Sequence, residues 1–408
     1  MRTAPLWILA LGAASAAQGV QGGQGGNGEI KPFAAVDPYT KNDPDQLARA
    51  GYVSFGPFRL GDDHTTTDVV ELLGGVPVIF VETAHFKLGS GLPEIAAGDD
   101  QQTRDRLKGE LERLAAKLPG VKTRPKKLDP WLRLHLYAQR LEEAYAEFQA
   151  RVGTTDADWP RSAPDPKKPI LPDYMGDGPY LGMPGKYTVL VFGKKSSLVR
   201  YGTRYLGHPT ETAQRYGFPV TGTLLYATAA ELLEDEYAND SALAAGTLWA
   251  VGQNLGAGFR GNRTALPLFF SEGLGHWFAR RFDERYPFFS GTPTRITGKQ
   301  QWDWPPSVRT RVEKHVYPGC EAMLGWSDPA QLEWADHLIA WSRVDYLMAR
   351  PDGAAGRFLR ALKDPSWAGS ELDRPLPKGK RALSAIGLDE VGFEQAWAAW
   401  VLDTYPKR

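Results

Sequence analysis

The chain has 408 residues, with Lys plus Arg and Asp plus Glu both at 48 and a formal net charge of zero. That length suits one large domain or two. The charge balance argues against the basic excess of a nucleic-acid footprint, and 42% hydrophobic residues argue against a disordered chain.

Arg2, the short apolar run "APLWILALGAASA" and an Ala14-Ser15-Ala16 cleavage site predict a signal peptide over residues 1–17. The run is too short to span a bilayer, so no stable membrane span is expected once the signal is removed. The expected location is secreted, periplasmic or cell envelope. Residues 18–30 are Gly- and Gln-rich and read as a flexible linker. Residues 31–75 carry no pattern that assigns them. "VPVIFVETAHFKLGS", 76–90, has the β-branched and aromatic content of a strand or hairpin arm.

A helix is predicted at about 101–118. The next starts at Asp129 with Pro130 at its first helical position, and Leu134, Tyr137, Leu141, Tyr145 and Phe148 recur at helical spacing. Residues 158–186 hold seven prolines and no period, which predicts a long surface loop. Strands are predicted at 186–193 and 221–228, with a helix between them from Ser196 or Ser197 to about Leu206. Buried helices are predicted at 241–259 and 268–282, and further helices at 329–349, 354–363 and 389–403. Strands early and helices late, with no βαβ alternation, give an α+β class.

Within that frame, "VGQNLG" (251–256) followed by Pro267 and "LFFSEGLGHWF" (268–278) resembles the gluzincin-type zinc metallopeptidases. The closest resemblance is to secreted bacterial peptidase-like proteins that carry H-E-x-x-H and then "P-x-W-L-x-E-G-L-A-x-Y-F". "ETAHFKLGSG" (82–91) and "EWADHLIAWSRVDYLM" (333–348) resemble the start and end of the same module. The resemblance covers 76–408 as a thermolysin-like peptidase module with a small mixed sheet and a mostly helical C-terminal part.

It also implies a site. In the intact motif two histidines four apart hold zinc, the adjacent Glu is general base, and a Glu from the next helix completes the ligands. Here Gly252 and Gly256 take the histidine positions, Gln253 takes the base position and Glu272 the third ligand position. Glycine has no ligand atom, and an amide accepts no proton near neutral pH. The chain is therefore read as a pseudo-metallopeptidase with no expected cofactor. Its function would be binding or scaffolding in the envelope, with a peptide, protein or glycan in the former cleft. The resemblance further implies that Gly252 and Gly256 face Glu272, with the gap closed by approach of the helices or by Phe269, Phe270, Trp277 or His276.

The alternative is a metal-dependent hydrolase, with zinc, rebuilt around Glu272 and His276. These two share a helix face and would need a histidine from another segment. Otherwise they form a hydrogen-bonded pair. His85 reads as a strand histidine and His135 as packed in its helix, while His64, His208, His315 and His337 show no ligand spacing. Cys320, the single cysteine, reads as a small buried hydrophobe.

Overall fold

The computed structural model describes residues 9–10, 33–98, 100–163, 174–290 and 302–407. Apart from Leu9 and Ala10, the predicted signal peptide and linker lie outside the described residues. The chain is mixed α and β, with one mixed sheet and a helical C-terminal half. It divides into two compact units: 1–142 with 187–221 and 225–243, and 143–186 with 222–224 and 244–408.

The first unit is built on the sheet. Its strands are β1 (Leu9–Ala10), β2 (Tyr52–Ser54), β3 (Ile79–Thr83), β4 (Phe86–Ser90), β7 (Tyr187–Phe192), β8 (Gln214–Phe218) and β9 (Thr223–Ala229). Their order is β1-β8-β9-β7-β4-β3-β2. β4, β7 and β9 run parallel in the middle, while β3 pairs antiparallel with β4 as the hairpin the sequence allowed. Every residue of β7 and β9 is buried, as expected for parallel strands covered on both faces. A separate short pair is β5 (Ile95–Ala96) with β6 (Lys127–Leu128).

Residues 31–75, unplaced by sequence, supply α1 (Pro44–Ala50), β2 and α2 (Thr66–Leu73). Thr65 and Asp68 form a reciprocal capping box at the start of α2, which satisfies two backbone donors. Val69 and Leu73 of α2 pack into one core with Leu190, Phe192 and Leu225 of the sheet and with Leu198 and Tyr201 of α5 (Lys195–Tyr201). α3 is Gln101–Lys117, and α4, Pro130–Val152, starts at the predicted proline.

Two polar networks are buried in this unit. His135 of α4 bonds Tyr52 Oη at 2.8 Å and Asp37 at 3.2 Å. Arg133 and Arg140 both bond Asp240, and Arg140 also takes Glu110 with both ends of its guanidinium. His85, expected in a strand, lies in the turn between β3 and β4, where its Nδ1 donates to the Glu142 carboxylate at 2.6 Å.

The second unit is helical. α6 (Asp240–Gly258) enters it at Ala244 and is followed by α7 (Leu268–Asp283), α8 (Trp304–Glu313) and α9 (Cys320–Leu324). Then come α10 (Trp334–Ala349), α11 (Ala354–Leu362), α12 (Pro375–Ser384) and α13 (Glu390–Thr404). The helix predicted from 329 begins at Trp334, because Pro329–Gln331 forms its own turn capped by Asp328. α8 and α12 were not predicted; both open on prolines that break the apolar period.

The predicted surface loop is corrected in part. Of its described residues, Trp159, Leu181 and Met183 are buried, and Arg260 binds the segment at two backbone oxygens, Tyr174 O and Leu181 O. Apolar anchors and backbone hydrogen bonds hold what composition alone marked as exposed.

Cys320 is 2% exposed at the start of α9, and burial pushes its thiol up to about 12. The thiolate is the reactive form, so the native protein should not react with a disulfide reagent. Reaction should appear only as denaturant unfolds the chain. Rapid labelling of the folded protein would contradict this burial.

Candidate functional site: a buried Glu-His-His cluster

α7 carries the two acid–base residues found in the sequence, and its glycines decide what surrounds them. A Cβ added at Gly273 would lie 2.5 Å from the Ala340 carbonyl of α10, and one at Gly275 would lie 2.8 Å from the Trp249 ring of α6. Only glycine lets both neighbours approach this closely. Glu272 and His276, four apart, share the strip of α7 between these two contacts.

That strip meets α10 at His337. His276 Nε2 lies 3.1 Å from His337 Nδ1. Glu272 Oε2 lies 3.4 Å from the same His337 nitrogen and 3.9 Å from His276 Nε2. The three side chains are 1% exposed or less. Sequence reading left His337 without a role, since it is 61 residues from His276. The only signal was its place among Trp334, Leu338 and Trp341, a helical spacing that foretells burial but names no partner.

The carboxylate also accepts from Gln253 Nε2 at 3.3 Å and from the Ser290 backbone N–H at 3.3 Å. No lysine or arginine among the described residues pairs with it. Aromatic rings wall the two histidines: Phe289 is 4.8 Å from the His337 ring, and Trp304 is 5.0 Å from the His276 ring. Burial, then His337 and Arg280, hold the His276 imidazolium well below its ordinary value, so this histidine is neutral. Its Nδ1 and the His337 Nε2 meet no hydrogen-bond partner among the described residues.

Gly252 and Gly256, which the resemblance puts at ligand positions, do not face this cluster, contrary to expectation. A Cβ at Gly252 would be 2.5 Å from the Phe278 ring and 3.2 Å from the Leu274 carbonyl. One at Gly256 would be 2.7 Å from Leu274 Cδ2 and 2.9 Å from Leu266 Cδ1. The seam between α6 and α7 is filled by Leu266, Leu274 and Phe278 rather than by Phe269, Phe270 or Trp277. The reason is rotational. Leu274 and Phe278 lie four apart on a different side of α7 from Glu272 and His276. Gln253, the residue at the base position, is the one that reaches the carboxylate.

The zinc set implied by the resemblance does not fit this arrangement. Two of its positions have no ligand atom and no room for one, and the third has turned to α10. Comparison of the chain with family models, with curated proteins and with solved structures found no match.

Proposed function

We propose that the protein is an exported, non-catalytic relative of the gluzincin-like peptidases, with a thermolysin-like module, that serves as a binding or scaffold component of the cell envelope. One observation carries this reading: Phe278, Leu274 and Leu266 occupy the space in which histidines at 252 and 256 would stand. Metal-assisted hydrolysis needs an open coordination position for water and a base beside it. Gln253 has no carboxylate, and Glu272 is 1% exposed. A substrate carbonyl has no approach to either.

The second reading, a hydrolase rebuilt around Glu272 and His276, draws support from the nearness of His337. The same assay separates the two. Purified protein incubated with added zinc and a mixed library of quenched fluorescent peptides should give no turnover above the buffer rate. Turnover that disappears in Glu272→Ala, with the variant still folded, sinks the non-catalytic reading.

A further inference from the structure

We infer that Glu272 Oε2, His276 Nε2 and His337 Nδ1 form a structural site for a divalent transition metal of the zinc class, sharing only Glu272 with the ligand set that the resemblance implies. Their separations are 3.1, 3.4 and 3.9 Å. An ion bonded at about 2.0–2.1 Å in tetrahedral geometry spaces its ligands at about 3.3–3.4 Å. The three atoms therefore mark three corners of such a tetrahedron with little movement. Two imidazoles and a carboxylate are also the donor set zinc accepts.

The alternative is a hydrogen-bonded cluster without metal, and it satisfies these groups poorly. Between the facing nitrogens of His276 and His337, 3.1 Å apart, at most one proton fits. The buried carboxylate then relies mainly on two hydrogen bonds of 3.3 Å and has no cationic side chain among the described residues. A dication satisfies all three inward atoms at once and neutralises the carboxylate, which is costly to bury alone.

The ligands come from two helices, α7 and α10, so the ion would clamp 272–276 to 337 in the second unit. Water or the Gln253 amide oxygen would take the fourth position. Neither outer imidazole nitrogen has an acceptor among the described residues, and metal-bound histidines ordinarily donate there. Affinity should therefore fall short of a fully supported zinc site by about 10–100-fold for each missing bond.

The test is metal stoichiometry on the full chain. Chelator-treated protein is equilibrated with zinc, freed of excess by gel filtration and measured by elemental analysis, and in parallel titrated with cobalt(II). The expected result is one ion per chain, and intense visible cobalt bands of a four-coordinate site. His337→Gln should weaken binding by at least about a hundredfold, more than loss of a supporting hydrogen bond would. Wild-type protein that retains no zinc and shows no four-coordinate cobalt spectrum overturns the site. So does stoichiometric zinc held equally well by His337→Gln. Should that variant fail to fold, X-ray absorption of the wild-type cobalt form decides: two imidazoles in the shell support the site, and none overturns it. The outcome is separate from peptide turnover, since a buried structural ion predicts binding without hydrolysis.

Discussion

Gly252→His is expected to lose about 3 kcal/mol or more of unfolding free energy, the upper end of overpacking effects. A first side-chain carbon there sits 2.5 Å from the Phe278 ring and 3.2 Å from the Leu274 carbonyl, and the imidazole must still be placed beyond it. The ring can turn, but the carbonyl belongs to the backbone of α7 and cannot. Gly252→Ala makes the test sharper because two effects oppose each other. In an open helix Gly→Ala gains about 1 kcal/mol from propensity. Here the contact should reverse the sign. Urea unfolding gives the answer as a lower midpoint with unchanged slope. Adding Phe278→Leu should return part of the loss, as a coupling of about 0.5–3 kcal/mol. A Gly252→Ala variant more stable than wild type would mean that the seam is not closed as described. The same packing predicts that Gly252→His, Gln253→Glu and Gly256→His together do not create a zinc site unless Phe278 and Leu266 are shortened.

Asp240→Asn should cost about 3 kcal/mol, at the low end for a broken buried ion pair because the carboxylate is 14% exposed. Asp240 Oδ1 takes Arg133 Nη2 at 2.6 Å, and Oδ2 takes Arg140 Nη1 at 3.3 Å. Arg133 is 3% exposed, and its other acceptor among the described residues is the Pro93 carbonyl at 2.7 Å, so the substitution leaves its charge without an ionic partner. Arg140 retains Glu110 at 2.7 and 2.9 Å, so the loss should fall on Arg133. Arg133→Met combined with Asp240→Asn should therefore recover part of it.

The pH dependence follows from the same pair. Burial by itself would raise the Asp240 carboxyl, but Arg133 and Arg140 hold it below the ordinary carboxylate value. A carboxyl more acidic when folded binds fewer protons than when unfolded, so its contribution rises with pH. It is fully present above the unfolded value of about 3.9 and lost as pH falls through the folded one. Asp37 and Glu142 are shifted the same way: burial raises each, but the hydrogen bonds of His135 and His85 outweigh it. Stability measured from pH 6 downward, roughly the range of carboxylate titration, should thus fall less steeply in Asp240→Asn without becoming flat. An unchanged acid limb, or a loss near the roughly 1 kcal/mol of an exposed pair, would remove Asp240 from this role.

Local pattern determined much of this protein. Pro130 at the first position of α4, the mostly apolar runs of β7 and β9, and the helical spacing through 241–258 and 268–283 follow from periodicity and capping, which act within a few residues. That 252 and 256 offer no ligand atom was equally plain, since glycine carries none. What only the tertiary structure decided is which sides of the helices meet. Helical spacing says that Glu272 and His276 share a side; it does not say that α10 lies against that side or that His337 projects there. Nor does it say that Gly252 and Gly256 turn towards Leu274 and Phe278 while Gln253 takes the carboxylate. Those outcomes depend on rotations and approaches between helices, set by Gly273 against Ala340 and Gly275 against Trp249. A residue pair far apart in sequence leaves no local period, so His337 could be read as buried but not as a partner of Glu272.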